Sequence, residues 1–162
     1  MRGLATLWGL GRAVPAPGTA GSAVAVAVAL LLHGLGGFPL LALATLAISV
    51  LALPAIRAAL PAEGADPPEV VIDEVAGQWL AMCAPSAGFW MAGLAPWNFP
   101  WPGWLAAFLL FRLFDIWKPW LIRRAERLPG ATGVLADDLV AGAAAALCVL
   151  ALAGLWHGVI AS

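Results

Sequence analysis

The residues of this chain that could carry out chemistry gather where an apolar run ends, in the sequence Phe-Arg-Leu-Phe-Asp-Ile-Trp-Lys-Pro-Trp at residues 111–120. On a helix, Arg112, Asp115 and Lys118 follow one another at intervals of three residues, so their side chains share one broad face. Pro119 disfavours helix at Lys118 and turns the chain aside. Charges beside a hydrophobic segment are costly unless they are paired or hydrated, so this cluster indicates a functional site.

Four more carboxylates lie in two adjacent pairs beside apolar runs, and with Asp115 they form an oxygen-only set that has no Cys or His next to it. Such a set favours a hard ion such as Mg²⁺, which binds phosphate as well. We therefore predict as metal ligands Asp73, Glu74, Asp137, Asp138 and Asp115. Asp115 is either a further ligand or the general acid or base, and its basic neighbours favour the ionised form that a ligand needs. The sequence leaves open whether one or two ions bind.

The same stretch offers groups that could bind a phosphate. Arg112 would act as a bidentate fork and Lys118 as a point charge. Pro-Gly-Thr-Ala-Gly-Ser at residues 17–22 precedes an apolar helix and could add backbone N–H groups with the hydroxyls of Thr19 and Ser22. Together these groups predict metal-assisted phosphoryl chemistry, with Asp115, Arg112 and Lys118 as the catalytic residues.

Each of these residues also has a purely structural interpretation. Thr19 and Ser22 could cap a helix, as could the aspartates that begin apolar runs. Arg112 with Asp115 could be a structural ion pair inside the membrane. The convergence of the groups, more than any single residue, favours the functional interpretation.

The composition defines the elements that must position these groups. Hydrophobic residues make up 63% of the 162 residues and the mean hydropathy is +0.95, well above the values of soluble proteins. We predict an all-α fold, a polytopic membrane bundle of about five apolar helices forming a single domain over residues 1–162. The net charge of −1 and the lack of a Lys/Arg-rich run argue against nucleic-acid binding.

The helices can be placed approximately. The predicted apolar segments are residues 20–35, 38–56, 70–94, the stretch from 103 into the 111–120 cluster, and a last helix from near Asp137 and Asp138 to Trp156. Gly36 and Gly37 break the first pair into a tight hairpin, and the first helix is expected to be an uncleaved membrane helix. Residues 57–69 form a polar connector, and the Trp- and Pro-rich residues 96–104 suit a membrane interface.

The distribution of basic residues predicts the orientation. With a cytoplasmic N-terminus and five crossings, every Lys and Arg reaches the cytoplasmic face, as do the five carboxylates above. Arg57, Arg123, Arg124 and Arg127 are then topology anchors, whereas His33 and His157 lie at the opposite interface. The active site is therefore expected at the cytoplasmic surface.

Other schemes for phosphoryl transfer lack their residues. Neither cysteine has the following Arg of a cysteine phosphatase, Pro-Ser-Ala-Gly at residues 85–88 lacks the His of a histidine-nucleophile phosphatase, and no Gly-x-x-x-x-Gly-Lys loop is present. Water activated by a metal remains. The alternative from another class is a small membrane transporter or proton-relay subunit, which would distribute its carboxylates through the depth of the bilayer.

Four blocks resemble the phosphatidylglycerophosphatase A family: Pro-Ala-Pro-Gly-Thr-Ala-Gly-Ser at 15–22, Ile-Asp-Glu-Val-Ala-Gly-Gln-Trp at 72–79, residues 111–120, and Gly-Val-Leu-Ala-Asp-Asp-Leu-Val-Ala-Gly at 133–142. The resemblance implies an all-helical, Mg²⁺-dependent phosphatase of the bacterial inner membrane that converts phosphatidylglycerophosphate to phosphatidylglycerol. Its acidic residues correspond to Asp73, Glu74, Asp115, Asp137 and Asp138, and its basic ones to Arg112 and Lys118. The chain departs at Leu121, where the family usually has proline, and after Ser22. Another phospholipid substrate and assembly into a homo-oligomer are left open.

Overall fold

The computed structural model describes residues 1–61, 67–98 and 101–160, and no described residue lies in a β-strand. The all-α prediction is confirmed. The helices are α1 (Arg2–Ala5), α2 (Leu10–Ala13), α3 (Pro17–Ala59), α4 (Ile72–Met91), α5 (Trp101–Trp117), α6 (Trp120–Glu126) and α7 (Ala131–Leu155), with a 3₁₀ turn at Leu7–Gly9 and a wide π-helical turn at Trp156–Ile160.

Helix α3 doubles back at Gly37. This residue has φ +63° and ψ −158°, a conformation that glycine reaches without a Cβ clash. A straight helix of 43 residues would be about 64 Å long. Yet Gly21 packs against Val71 while Ile56 shares an apolar cluster with Ile72, so both arms of α3 meet the start of α4. The predicted hairpin is therefore present, with its break at Gly37.

Helices α4 and α7 cross with their backbones in contact. A Cβ added at Gly142 would collide with the carbonyl oxygen of Gly77, and one added at Gly77 would lie 2.5 Å from the carbonyl oxygen of Asp138. Small residues allow this close approach, as in membrane helix pairs generally. The crossing fixes the register between the first turns of α4 and the acidic turn of α7.

A buried apolar cluster lies beside this crossing. Phe111 of α5 is fully buried against α4, and Trp79 donates its indole N–H to the carbonyl oxygen of Ala25 at 2.8 Å, which ties α4 to the first arm of α3. At the end of the α3 hairpin, His33 is buried and hydrogen-bonds Ser86 at 2.7 Å. The ring of His33 finds its polar partner inside the bundle, four residues before the turn at Gly37, and the interfacial depth of His33 stays a prediction.

Two helical stretches are long and apolar enough to cross a membrane, Pro17–Ala59 and Ala131–Gly158. Both carry exposed leucines on their outer surfaces, including Leu43, Leu46 and Leu147. A membrane location is therefore plausible on physical grounds. The five crossings and the cytoplasmic side of the site remain predictions.

Several predicted boundaries are corrected. Helix α7 begins at Ala131, a full turn and more before Asp137, because Gly130 with φ +60° starts it. Ala16 is the N-cap residue of α3, and Ser22 instead donates to the carbonyl oxygen of Gly18 at 2.8 Å within the helix. Neither aspartate of α7 caps it, and Ser22 does not cap α3. Within the predicted connector and interface loop, residues 62–66 and 99–100 lie outside the described residues.

Candidate metal and phosphate site

Three carboxylates from two helices come together, and we call them the acidic trio: Asp73, Glu74 and Asp138. One oxygen of each lies within 4.8 Å of the other two. Asp73 and Glu74 occupy the first turn of α4, whereas Asp138 is in the second turn of α7. The backbone contact at Gly77 holds these two turns at this distance, because Asp138 itself supplies the α7 side of the contact.

The acidic trio fits a divalent cation. Asp73 and Asp138 are buried, at 6% and 4% exposure, and Glu74 is half-buried. Like charges at this depth repel one another strongly unless a cation or proton neutralises them. Glu74 Oε2 is buried and finds no hydrogen-bond partner within the described part of the chain. The donor set is entirely carboxylate oxygen, which is the chemistry that hard cations prefer.

Arg112 lies beside the acidic trio. Its Nη1 atom forms an ion pair of 2.6 Å with Asp115, three residues later on α5, and donates a long hydrogen bond of 3.4 Å to Ser22 Oγ. Both charged side chains are mostly buried, and Asp115 is close enough to Glu74 and Asp138 for their charges to interact. The i, i+3 pairing expected from the sequence is therefore observed, with a third contact from α3.

The start of α3 approaches this pair through Gly18. A Cβ added at Gly18 would collide with the Glu74 carboxylate and lie 3.2–3.3 Å from the Arg112 guanidinium nitrogens. Only a residue without a side chain leaves this space open. The predicted phosphate-binding segment is thus brought to the acidic trio at Gly18 and Ser22, whereas Thr19 is exposed.

Lys118 and Asp137 form a second cluster next to the first. Lys118 Nζ lies 2.7 Å from Asp137 Oδ2 and 2.6 Å from Glu126 Oε1, and it borders a cavity of about 170 Å³ that Asp137 also lines. The Asp138 N–H donates to Asp137 Oδ1 at 3.0 Å, which links the two clusters through the backbone. The structure therefore places Asp137 with Lys118 and outside the acidic trio; its role as a metal ligand remains a prediction.

The ionisation of Lys118 follows from these contacts. Burial alone would lower the pKa of its ammonium group. The hydrogen bonds and charges of Asp137 and Glu126 outweigh burial and raise the pKa above its ordinary value of 10.5. Lys118 is a fixed positive charge at neutral pH. Its backbone φ of +47° sits in the left-handed region at the break between α5 and α6, as the following proline requires helix to end there.

Two residues of the site were missed in the sequence. Glu126 pairs with Lys118 across the Pro119 turn, and no helical spacing relates the two. Gln78 is fully buried one turn after Glu74, and neither of its amide atoms has a hydrogen-bond partner within the described part of the chain. The i, i+4 spacing from Glu74 along an otherwise apolar helix was the available indication.

A helical bundle that has two stretches long and apolar enough to cross a membrane, an acidic trio that could hold a metal ion and an adjacent, mostly buried arginine is consistent with a membrane-associated phosphatase. The sequence model of the phosphatidylglycerophosphatase A family matches residues 3–153 of the chain. The chain therefore belongs to this family and is a phosphatase. The family resemblance of the four sequence blocks is confirmed. Family membership gives no support to the transporter alternative.

Two of the relatives carry the name of this family, and a third is named for a different phospholipid substrate. The chain is 32% identical over 152 residues to phosphatidylglycerophosphatase A of Haemophilus influenzae, covering 92% of this chain and 86% of the relative. It is 37% identical over 75 residues to phosphatidylglycerophosphatase A of Escherichia coli, covering 45% of this chain and 37% of the relative. A Bacteroides thetaiotaomicron protein with the provisional name phosphatidylinositol-3-phosphatase is 38% identical over 144 residues, covering 86% and 84%. No solved structure matches the chain.

Proposed function

We propose that this chain hydrolyses the terminal phosphomonoester of phosphatidylglycerophosphate and releases phosphatidylglycerol and inorganic phosphate. The observation that carries the proposal is the acidic trio beside Arg112, in a chain of the phosphatidylglycerophosphatase A family. A buried cation site next to a guanidinium group is the arrangement that stabilises the charge of a transferring phosphoryl group.

Asp73, Glu74 and Asp138 would hold the cation, and Mg²⁺ is the ion that their chemistry favours. A bound divalent cation supplies Lewis-acid polarisation of the phosphoryl group and an acidified water. Asp115 and Asp137 complete the predicted ligand set. Each of these two residues is ion-paired through one carboxylate oxygen, Asp115 with Arg112 and Asp137 with Lys118, and a carboxylate has further lone pairs with which it could ligate the cation.

The basic residues would bind the phosphate. The Nη1 atom of Arg112 contacts Asp115 and Ser22, and its buried Nε has no hydrogen-bond partner within the described residues. The guanidinium group therefore has N–H donors available for a phosphate. Lys118 contributes a permanent charge on the Asp137 side. The exposed Thr19 offers a hydroxyl from the start of α3, where backbone N–H groups also favour an anion. The buried Ser22 hydroxyl donates to the Gly18 carbonyl oxygen and would have to rotate to donate to a phosphate.

The reaction balances without a further reactant. The oxygen of water forms a bond to phosphorus as the bond between phosphorus and the glycerol oxygen breaks. The proton that the water loses ends on the departing glycerol oxygen. Asp115, at the junction of Arg112, Glu74 and Asp138, is the carboxylate placed to carry it if it is not itself a ligand.

We further propose that the protein is a multi-pass protein of the bacterial inner membrane and folds as one domain over residues 1–162. The site would open to the cytoplasm. Support comes from the two candidate membrane-spanning stretches and from the fold-back of α3, which returns the chain to the surface from which it started. A phospholipid substrate then meets the site from the adjoining leaflet.

A different headgroup is the second candidate, because one relative carries a phosphatidylinositol-3-phosphatase name over 84% of its length. A substrate panel separates the two. Purified protein in mixed micelles is given phosphatidylglycerophosphate, phosphatidylinositol 3-phosphate or phosphatidic acid, with Mg²⁺ or with excess chelator, and free phosphate is measured. We expect the fastest release from phosphatidylglycerophosphate, abolished by chelator. Faster phosphate release from phosphatidylinositol 3-phosphate would make that lipid the proposed substrate instead. Phosphate release that persists with excess chelator would contradict the proposed cation requirement.

A further inference from the structure

A pocket separate from the acidic trio lies where α5 turns into α6. Its volume is about 590 Å³, and its walls include Trp117, Trp120, Arg123, Arg124 and Arg127. Lys118 lines this pocket and also the smaller cavity that holds Asp137. The two cavities therefore share one residue, and Asp137 is the immediate chain neighbour of Asp138 in the acidic trio.

The three arginines of this pocket are exposed, and none of them forms an ion pair with any residue that the structure describes. Arg12, Arg112 and Lys118 each have a carboxylate partner, whereas Arg2 and Arg57 form no ion pair with a described residue but lie outside the pocket. A cluster of unpaired guanidinium groups attracts a bidentate oxyanion such as phosphate. Their convergence in one pocket is more than orientation across a membrane requires, since the positive-inside effect depends on charge and not on convergence.

The residues around the pocket suit a position at the depth of lipid headgroups. Trp117 and Trp120 expose 65% and 74% of their surface, which suits indole rings at the boundary of hydrocarbon and water. Ile122 on the other face of α6 is buried in the core. Helix α6 is thus amphipathic, with an apolar face against the bundle and an arginine face toward the headgroup layer.

We propose that this pocket binds the phosphodiester of the lipid substrate while its terminal phosphomonoester occupies the site at Arg112. The inference rests on the proposed function, because phosphatidylglycerophosphate carries both kinds of phosphate on one glycerol. Arg123, Arg124 and Arg127 then determine specificity, since they distinguish a lipid with an internal phosphodiester from one that has only a phosphomonoester. Their contribution is made equally in the ground state and in the transition state, so it appears in KM.

The test compares wild type with the triple variant R123Q/R124Q/R127Q in mixed micelles. Arg57→Gln is the matched control, because Arg57 is likewise basic, exposed and near the end of a helix but lies outside the pocket. We expect the triple variant to raise KM for phosphatidylglycerophosphate about tenfold at an unchanged kcat, and Arg57→Gln to leave both unchanged. An unchanged KM in the triple variant, or an equal rise in the control, would overturn the proposal.

A binding measurement separates this inference from the proposed function. Native mass spectrometry counts phosphatidylglycerol, which retains the phosphodiester, bound to each variant without any need for turnover. We expect wild type and Arg57→Gln to retain phosphatidylglycerol and the triple variant to lose it. Equal retention in all three proteins would overturn the proposed phosphodiester site. This result does not depend on whether wild type hydrolyses phosphatidylglycerophosphate. If the triple glutamine variant fails to insert into the membrane, R123K/R124K/R127K replaces it. The lysines keep the positive charge that sets the topology but lack the bidentate guanidinium group, and the same changes in KM and in phosphatidylglycerol retention are expected.

Discussion

At the scale of single residues, Asp137 and Asp138 show how neighbours in sequence acquire different tasks. Consecutive residues of a helix point about 100° apart. Asp138 therefore faces α4 and joins Asp73 and Glu74, while Asp137 faces Lys118. The two carboxylates are equal in charge and differ in what they touch, so their substitution separates cation binding from ion pairing.

Asp138→Asn should lower phosphate release by about 100-fold or more, because it replaces a charged carboxylate of the acidic trio with a neutral amide, which is a weaker ligand for a divalent cation. Asp137→Asn is the matched variant one residue away, and it breaks the Lys118 ion pair instead. If Asp137 acts only through this ion pair, the Mg²⁺ requirement of Asp137→Asn keeps the wild-type concentration dependence, whereas a need for more Mg²⁺ would assign Asp137 to the ligand set. Rates measured across a Mg²⁺ titration distinguish the two. A wild-type rate for Asp138→Asn would remove that residue from the site.

The raised pKa of Lys118 leads to a prediction about pH. A lysine whose folded pKa exceeds 10.5 stabilises the fold fully below that value and loses the effect only as pH rises through the higher folded pKa. Lys118→Met should therefore lower stability by a constant amount between about pH 6 and 9, provided that its carboxylate partners stay ionised. Thermal unfolding of both proteins at several pH values measures this. A difference that vanishes before pH 9 would show that Lys118 titrates early and is not held by Asp137.

At the scale of elements, the crossing of α4 and α7 positions the acidic trio. Gly77 and Gly142 lie within helices and have no positive φ that would require glycine. Their role is to let the backbones of α4 and α7 approach each other closely. Gly77 meets Asp138 and Gly142 meets Gly77, which locks the two helices in one register. A wider crossing would separate Asp138 from the two acids of α4.

Gly142→Ala should destabilise the protein by about 1–3 kcal/mol and reduce activity, because the new methyl group meets the backbone of Gly77. Gly154→Ala is the control on the same helix, where an added Cβ meets nothing within 4 Å. It should change stability by less than about 1 kcal/mol, since alanine favours helix over glycine. Unfolding in a denaturing detergent series together with phosphate release checks both. Equal effects of the two substitutions would rule out the crossing as the cause.

The elements also show what the sequence could and could not predict. The hairpin at Gly37 and the Arg112–Asp115 pair follow from local rules of backbone freedom and helical spacing, and both were predicted. The start of α7 was misplaced because Asp137 and Asp138 resemble an N-terminal pair, whereas the helix begins at Ala131, directly after its N-cap residue Gly130. The contact of Lys118 with Glu126 depends on the direction of the chain after Pro119, which tertiary packing decides.

At the scale of the whole molecule, the sequence could predict that distant segments bring five carboxylates to one face, but it could not predict which three of them form the acidic trio. The distribution of charges brings all five carboxylates to one face in the predicted topology. Which three of them meet depends on helix rotation, and one-dimensional hydropathy contains no information on rotation for helices that are apolar all round. The sequence therefore could not separate the acidic trio from Asp115 and Asp137, each of which pairs with a basic residue; that these two also ligate the cation stays a prediction.

The predicted topology can be tested by cysteine labelling. In a background with Cys83 and Cys148 replaced by alanine, Arg57→Cys should react only from the cytoplasmic side and Asn98→Cys only from the opposite side. The reason is that Arg57 ends the hairpin near the acidic trio, whereas Asn98 follows α4 at the other end of the bundle. Membrane-impermeant reagents on intact and inverted vesicles give the result. Labelling of both positions from one side would contradict the crossing order.

Cation binding by the acidic trio is the claim on which the proposed chemistry depends, and electron paramagnetic resonance of Mn²⁺ tests it without substrate. Purified wild-type protein is titrated with Mn²⁺, which accepts the same oxygen ligands as Mg²⁺, and excess Mg²⁺ is then added. We predict saturable binding that Mg²⁺ reverses, and its loss in both Asp73→Asn and Asp138→Asn while Gly154→Ala binds normally. Mn²⁺ binding that persists unchanged in both aspartate variants would contradict the account.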